Sequence, residues 1–312
     1  MKFAIIGTGG VGGYFGARLH ESGEDVVFLA RGPHLQALRK NGLSLNSIHG
    51  DYHAQTVHAT DDLSEMGKAD VVLVTTKAWQ VPEVAPALQA LLHDDSFVVP
   101  LQNGVEAADQ LAEALGDERV VGGLCGVMAY LEAPGVIRHA AIAPFITFGE
   151  RDGRRSARME ALDTALSKCH AVQSKPTEKI ETAIWEKFLF ISAFSGVGSV
   201  TRAPIGTIRS VPETRELLDA ALREVLALAQ ARGVRLTEAN VERIWKTFDS
   251  LPPDGTASMQ RDVMDGRPSE LESQTGAIVR LAQEARVSVP VNQFIYQALR
   301  PTELQARGEF RI

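Results

Sequence analysis

The sequence predicts an α/β protein in two parts, an N-terminal doubly wound parallel sheet followed by an all-helical C-terminal domain. Three observations carry this. Short apolar runs alternate with helical stretches through the first hundred residues, the first of those runs ends in a glycine-rich turn, and after Pro176 long helical patterns replace the strands. Apolar runs bounded by turns and alternating with helices are what a parallel sheet covered on both faces requires.

Residues 3–6 form the first apolar run, and residues 13–22 carry Phe15 and Leu19 four apart, on one helix face. Residues 25–30 (DVVFLA) read as a second buried strand, 35–40 as a helix and 70–75 (DVVLVT) as a strand. They are followed by a helix over 81–92 and a strand over 96–101 (SFVVPL). Residues 44–57 fit short antiparallel strands or a loop, and 120–149 are β-rich with Pro and Gly at the turns. One helix over 161–169 closes this half. The C-terminal half reads as helices over 177–195, 214–232, 237–248 and 270–285. These patterns place a domain boundary near residue 170, with domains of 1–170 and 171–312.

The 312 residues suffice for two domains with cores of their own, and 45% apolar with 23% charged residues is an ordinary globular composition. A net charge of −7 argues against nonspecific nucleic-acid binding, which needs a cationic surface. Cys125 and Cys169 are the two cysteines, in no metal-ligand or C-x-x-C spacing, and the eight histidines, His139 included, show no metal spacing. No metal is expected. The opening MKFAIIGTGG has too short an apolar run for a signal peptide, and no run of about 18 apolar residues occurs, so a cytoplasmic protein without a membrane span is expected.

The turn Gly7-Thr8-Gly9-Gly10-Val11-Gly12 matches G-x-G-x-x-G in its proper context, after a strand and opening a helix. The first glycine permits the tight turn, the second lets backbone approach a pyrophosphate, and the third lets helix and strand pack closely, while the helix N-terminus offers unpaired N–H groups. The motif therefore predicts a Rossmann-type dinucleotide site, against the plainer reading of a glycine turn without ligand. Where NAD-type sites place an acidic residue after the second strand, this chain has Arg31. A planar guanidinium suits a 2′-phosphate and points to NADPH, the alternative being an exposed surface arginine.

In open parallel sheets ligands bind beyond the carboxyl ends of the strands, which singles out Lys77 after VVLVTT and Asn103 in Gln102-Asn103-Gly104. Lys77 suits a phosphate or carboxylate, and Asn103 a nicotinamide or carbonyl. Asn-Gly is also a favoured turn, so either residue could simply belong to a loop. Lys187, within the apolar segment Ile184–Ile191, reads as a buried lysine that must be used or paired, with Glu186 as a plain surface partner the alternative.

Together GTGGVGG, LARG, TTKAWQV, LQNGV, WEKF and SMQRDVMDGRPSELESQTG resemble the ketopantoate reductase (2-dehydropantoate 2-reductase) family over both halves. The last motif is the most specific, with Ser258 and Glu270 twelve residues apart in an SM-x-x-D-x-x-x-G-R-x-x-E context. The resemblance implies a Rossmann domain, a helical domain and a cleft between them, where NADPH reduces the C2 carbonyl of ketopantoate to give pantoate in pantothenate biosynthesis. By position it makes Lys187 the catalytic lysine and Glu270 the residue holding the substrate's hydroxyl end. Ser258 would contact the substrate carboxylate, Lys77 and Asn103 would be cleft residues, and Arg31 would read the 2′-phosphate. Such a lysine stabilises the alkoxide and donates its proton.

Some family members carry asparagines four and eight residues after the lysine, where this chain has Ile191 and Ser195. All three positions lie on one helix face, about 40° and 80° around from the lysine. This opens the alternative of a different, more apolar 2-oxo acid, as in relatives that act as D-2-hydroxyacid dehydrogenases. A non-enzymatic NADP(H) sensor is the reading from another class, and the presence of Lys187, Ser258 and Glu270 argues against it. The expected partner is a small 2-oxo acid; a homodimer is left open, since sequence does not separate an intradomain helical surface from an intersubunit one.

Overall fold

The computed structural model describes residues 1–310. The chain folds as two compact units, one of residues 1–102 and 107–180, the other of residues 103–106 together with those from 181 onward.

The first unit begins β1 (Lys2–Ile6), α1 (Gly10–Glu21), β2 (Asp25–Leu29), α2 (Gly32–Asn41), β3 (Leu43–Ser47), β4 (Tyr52–Ala54), β5 (His58–Thr60) and β6 (Ala69–Val74). It continues with α3 (Val81–Val84), β7 (Leu92–Pro100), α4 (Ala107–Leu115), β8 (Gly122–Ala133), β9 (Val136–Gly149), α5 (Ala157–Ser167) and β10 (Gln173–Pro176). One sheet has the order β5-β2-β1-β6-β7 with every neighbouring pair parallel. This is the predicted doubly wound order, and its direction of progress reverses between β1 and β6, where ligands bind in such sheets. Both faces of its strands are apolar and buried, Phe3, Ile5 and Phe28 on one side, Ala4, Ile6 and Val27 on the other.

A second sheet has the order β10-β9-β3-β4, with β8 antiparallel to β9. The weakly patterned stretch 44–57 thus does contain antiparallel strands, since β3 pairs β4 from Leu43↔Ala54 to Leu45↔Tyr52. It also contains a parallel pairing of β3 with β9 that sequence could not show. The expected boundary near 170 moves to 180, because β10 pairs in parallel with β9 from Gln173↔Phe145 to Pro176↔Phe148 and so belongs to the first unit. The helix expected over 81–92 is one α-turn, α3, followed by a 3-10 stretch over Ala85–Leu91. Pro86 lacks the N–H that a continuing α-helix would need and crowds the preceding turn.

The second unit comprises α6 (Ile180–Thr201), α7 (Ile205–Ser210), α8 (Pro212–Ala231), α9 (Glu238–Ser250), α10 (Ser258–Met264), α11 (Thr275–Ala285) and α12 (Pro290–Ala306), Ile180 itself counting with the first unit. Its core gathers Phe188, Leu222, Val225, Phe248, Ile278 and Ile295 from five of these helices. Helix α6 has the length and hydropathy of a membrane span, yet most of that stretch is buried inside the structure. Glu270, expected inside a helix over 270–285, lies instead in a turn ahead of α11.

Helix α1 touches the first sheet through glycine. A Cβ at Gly12 would lie 2.3 Å from the Gly7 carbonyl oxygen and 2.9 Å from Ile5, and one at Gly16 would lie 2.3 Å from the Phe28 ring. The third glycine of the motif therefore does what the sequence reading assigned to it. Helix propensity alone would make Gly12→Ala stabilising by about 1 kcal/mol. Because the obstacle is backbone, we expect a net loss of about 1–3 kcal/mol, read from the midpoint and slope of a urea denaturation curve.

Candidate functional site

In the first unit the glycine-rich turn stands at the point where the sheet order reverses. Gly7, directly after β1, has φ +100°, and its carbonyl oxygen accepts from the Thr75 hydroxyl at 2.7 Å. Thr75 also donates to the Ile6 carbonyl at 3.0 Å, tying the ends of β1 and β6 together. Thr8 is buried, its hydroxyl donating to the Leu29 carbonyl at 2.9 Å, which fixes the turn against the end of β2. A Cβ at Gly10 would come within 2.1 Å of the Ala129 carbonyl oxygen on β8, so the turn is walled by the second sheet on that side. Val11 packs against the first sheet's core.

Gly9 is different. A Cβ there would meet nothing within 4 Å, although its extended backbone (φ −85°) would accept any residue. The protein thus crowds Gly10 and Gly12 and leaves space at Gly9, where the pyrophosphate of a dinucleotide would pass in front of the N-terminus of α1. Two buried acceptors just past the ends of β6 and β7 lack partners, Thr76 Oγ1 and Gln102 Oε1, while the Gln102 amide donates to the carbonyls of Val74 at 2.9 Å and Thr76 at 3.1 Å. Open space and unspent polar atoms at the carboxyl edge of the sheet fit a nicotinamide dinucleotide. Sequence reasoning passed over Thr75, Thr76 and Gln102, although their position after strand ends was the available signal.

Arg31 caps the N-terminus of α2 at the end of β2, exposed and with no side-chain hydrogen bond or ion pair among the described residues. Three residues on, His34 Nδ1 accepts from the Gly135 N–H at 2.9 Å, joining α2 to the β8–β9 turn. Burial pushes the His34 imidazole pKa down, partly offset by the Thr8 backbone, and keeps the ring neutral for that role. Lys77 is exposed, its ammonium 5.7 Å from the centre of the Trp79 ring, and its backbone N–H donates to Gln80 Oε1 at 3.2 Å.

The second unit brings two of the predicted residues together. Asn103, only half-buried, donates from Nδ2 to Glu270 Oε2 at 3.1 Å, and Gln274 Nε2 donates to the same oxygen at 3.3 Å. Glu270 is 6% exposed, so a carboxylate lies almost out of water with two neutral amide donors on one oxygen. Asn103 had been expected at either a nicotinamide or a carbonyl; its partner here is the acid. Gly104 follows with φ +112°, and a Cβ there would stand 2.8 Å from the Ser273 carbonyl oxygen, so the Asn-Gly pair serves a close approach and not merely a turn.

Lys187, Ile191 and Ser195 follow one another at four-residue steps on α6. Lys187 is half-buried between buried Trp185 and Phe188, less enclosed than the sequence suggested, and Glu186 is ion-paired with Arg243 at 2.8 Å. Ile191 packs at the edge of the helical core. Ser195 is fully buried, and its hydroxyl is without a partner, unlike those of Ser192, Ser199 and Thr201, which each donate to the carbonyl four residues back at 2.6–2.7 Å. Gln274 Oε1 and Thr275 Oγ1 are likewise buried and unpartnered, and neither had been singled out in sequence. Ser258 is half-buried at the first residue of α10. Among the described residues no cluster of three His, Cys, Asp or Glu side chains is placed to hold a metal.

A glycine turn at the reversal point of a doubly wound sheet, with a helical unit carrying a lysine and a buried acid, fits the class of dinucleotide-binding oxidoreductases. The family model "Ketopantoate reductase PanE/ApbA" matches residues 3–153, and its C-terminal counterpart matches residues 179–303. The chain belongs to the ketopantoate reductase family. It is 32% identical to the "Uncharacterized oxidoreductase YkpB" of Bacillus subtilis (strain 168), over 98% of this chain and 100% of that one. The crystal structure of 2-dehydropantoate 2-reductase from Geobacter metallireducens GS-15 superposes with TM-score 0.90 at 28% identity, covering 96% of this chain and 99% of that one. A ternary structure of D-mandelate dehydrogenase with NADH and anilino(oxo)acetate shares the fold, with TM-score 0.89 at 21% identity and coverage of 98% and 99%.

The open space at Gly9 yields a direct test. Gly9→Ala should leave the denaturation curve within about 0.5 kcal/mol of the parent, since nothing in the protein is touched. Its dissociation constant for nicotinamide dinucleotide, followed by fluorescence titration, should rise at least about tenfold.

Proposed function

We propose that the protein catalyses NADPH-dependent reduction of 2-dehydropantoate to pantoate, a step of pantothenate biosynthesis. The observation that carries this reading is the nearly buried Glu270 carboxylate, held by Asn103 and Gln274 through one oxygen within the motif that begins at Ser258. An acid held in this way has its second oxygen to offer to a substrate hydroxyl, and a buried acceptor discriminates strongly for the group that satisfies it. Family membership and the 2-dehydropantoate 2-reductase among similar structures support the same substrate class.

When bound, NADPH supplies the hydride that reduces the C2 carbonyl. The turn from Gly7 to Gly12 would hold its pyrophosphate and Arg31 its 2′-phosphate, and Lys77 and Asn103 would complete its binding. Lys187 Nζ, as an ammonium, stabilises the negative charge that develops on the carbonyl oxygen and gives that oxygen its proton, taking a replacement from solvent. Ser258 donates to the substrate carboxylate, and Glu270 accepts from the hydroxyl at its other end. The protein's own contribution is orientation and charge.

A specific observation favours a second reading, reduction of another 2-oxo acid. Along α6 from Lys187 the chain presents Ile191 and the unpartnered Ser195 hydroxyl in place of two amides. That pair suits a substrate with a more apolar body and fewer hydrogen-bonding groups.

Absorbance of NADPH followed against a panel of 2-oxo acids separates the two readings: 2-dehydropantoate should give the highest kcat/KM, and a clear preference for an apolar 2-oxo acid would replace it. Lys187→Ala should lose at least about 100-fold in turnover while its NADPH dissociation constant stays that of the parent. Arg31→Ala should weaken NADPH by about 10- to 100-fold, the worth of a charge-assisted contact, and leave NADH binding unchanged. Equal loss for the two cofactors would remove Arg31 from its assigned role.

A further inference from the structure

Glu270 sits in a turn between α10 and α11, a segment with no ladder of its own to hold it. The segment is held instead by the last helix, on both sides of Glu270. On one side, the backbone N–H of fully buried Ser269 donates to both oxygens of Glu303, each at 3.1 Å, and the Ser269 hydroxyl donates to Glu303 Oε2 at 2.6 Å. The same hydroxyl accepts from the Leu271 N–H at 3.2 Å, so both neighbours of Glu270 in the chain are tied to one carboxylate. Arg307 closes the arrangement, donating from Nε to Glu303 Oε1 at 2.6 Å and from Nη2 to the Ser269 carbonyl at 3.0 Å. On the other side, Glu272 accepts from the Tyr296 hydroxyl at 3.1 Å and from Arg300 Nη1 at 2.5 Å.

Tyr296, Arg300, Glu303 and Arg307 follow at steps of four, three and four, which puts them along one face of α12 and its C-terminal end. Buried Glu303, 3% exposed, is a costly way merely to glue a helix to a turn, since apolar packing would serve stability as well. What a carboxylate adds is direction: two acceptors facing a backbone N–H and a hydroxyl fix where the turn lies, as apolar contact does not.

We propose that Glu303, acting through Ser269 and braced by Arg307, is a positioning residue that sets the Glu270 carboxylate in place for the substrate. This rests on the reading that Glu270 receives the substrate's hydroxyl end. Neither Glu303 nor Ser269 touches substrate or cofactor in the proposal; they act by fixing the peptide on either side of Glu270. Misplacing a binding group by about an ångström is enough to cost on the order of 100-fold.

The test uses full-length Ser269→Ala, Ser269→Thr, Glu303→Gln and Glu270→Gln proteins with 2-dehydropantoate, or with the 2-oxo acid the parent turns over best. Steady-state constants at saturating NADPH are read beside the NADPH dissociation constant. Ser269→Ala should raise KM for the oxo acid at least tenfold with NADPH binding within twofold of the parent, and Glu303→Gln should follow it. Ser269→Thr, which keeps the hydroxyl, should stay within threefold. The proposal is overturned if Ser269→Ala keeps the parental KM while Glu270→Gln loses activity, if the threonine variant is as poor as the alanine one, or if NADPH binding weakens in step with KM. Should Glu303→Gln not fold, the Ser269 pair decides alone. Unchanged kinetics in Glu270→Gln would instead sink the reading of Glu270 itself, and the positioning role with it.

Discussion

The approach of the first helix to the first sheet is the constraint on which the rest of this molecule depends. Gly12 lies so close to Gly7 that no side-chain carbon fits between them, and Gly16 admits the Phe28 ring in the same way. That closeness brings the start of α1 to the carboxyl end of β1. There the Thr75 hydroxyl bonds the Gly7 carbonyl and Thr8 bonds Leu29, so three strand ends share one fixed edge. Once that edge is rigid, the empty space at Gly9 becomes a shaped place and not simply a gap. β8 backbone closes off neighbouring Gly10, and Thr76 at the end of β6 closes off Gly7, which leaves Gly9 as the open position of the turn.

The helical unit solves a different problem, how to keep a carboxylate nearly out of water. Two amides bond one oxygen of Glu270, and the turn carrying it is clasped at Ser269 and Glu272 by the last helix. Arg280 adds a brace, bonded to Glu106 at 2.9 Å and paired with Glu272 at 3.5 Å, which ties the short segment carrying Asn103 to the same turn. The short segment of residues 103–106 thus belongs with the helices although the chain on either side of it belongs to the sheets. A buried polar network of this kind repays its desolvation only when its members are satisfied, and most are. The exceptions are three buried oxygens in the same helical unit as Glu270, Ser195 Oγ, Gln274 Oε1 and Thr275 Oγ1.

Much of this was legible beforehand because local rules govern it. The glycine spacing marks a turn with special backbone needs, and runs such as DVVFLA and DVVLVT mark strands buried on both faces. Arg31, following the second strand, is legible as the candidate reader of a ribose phosphate. Where local signals failed, the reasons are specific. The prolines after Val81 were outweighed by apolar spacing, and the stretch became a 3-10 helix. The pattern that follows Glu270 points to a helix, whereas the bond from distant Asn103 and the clasp of Glu303 on Ser269 accompany a turn there. The boundary lies later than composition suggests because the short, polar strand β10 draws its pairing from β9 and not from its own composition.

The sequence by itself determined the alternation of strands and helices in the first sheet, the doubly wound class and a set of candidate site residues, because glycine geometry, apolar periodicity and charge are properties of short segments. Only the tertiary structure decided that Asn103 meets Glu270, that β3 runs beside β9 and that Glu303 reaches back to Ser269. Each of these joins residues from roughly 30 to more than 160 positions apart. At such separations no local propensity acts, and the pairing is selected by which buried donors and acceptors satisfy one another once the cores have closed.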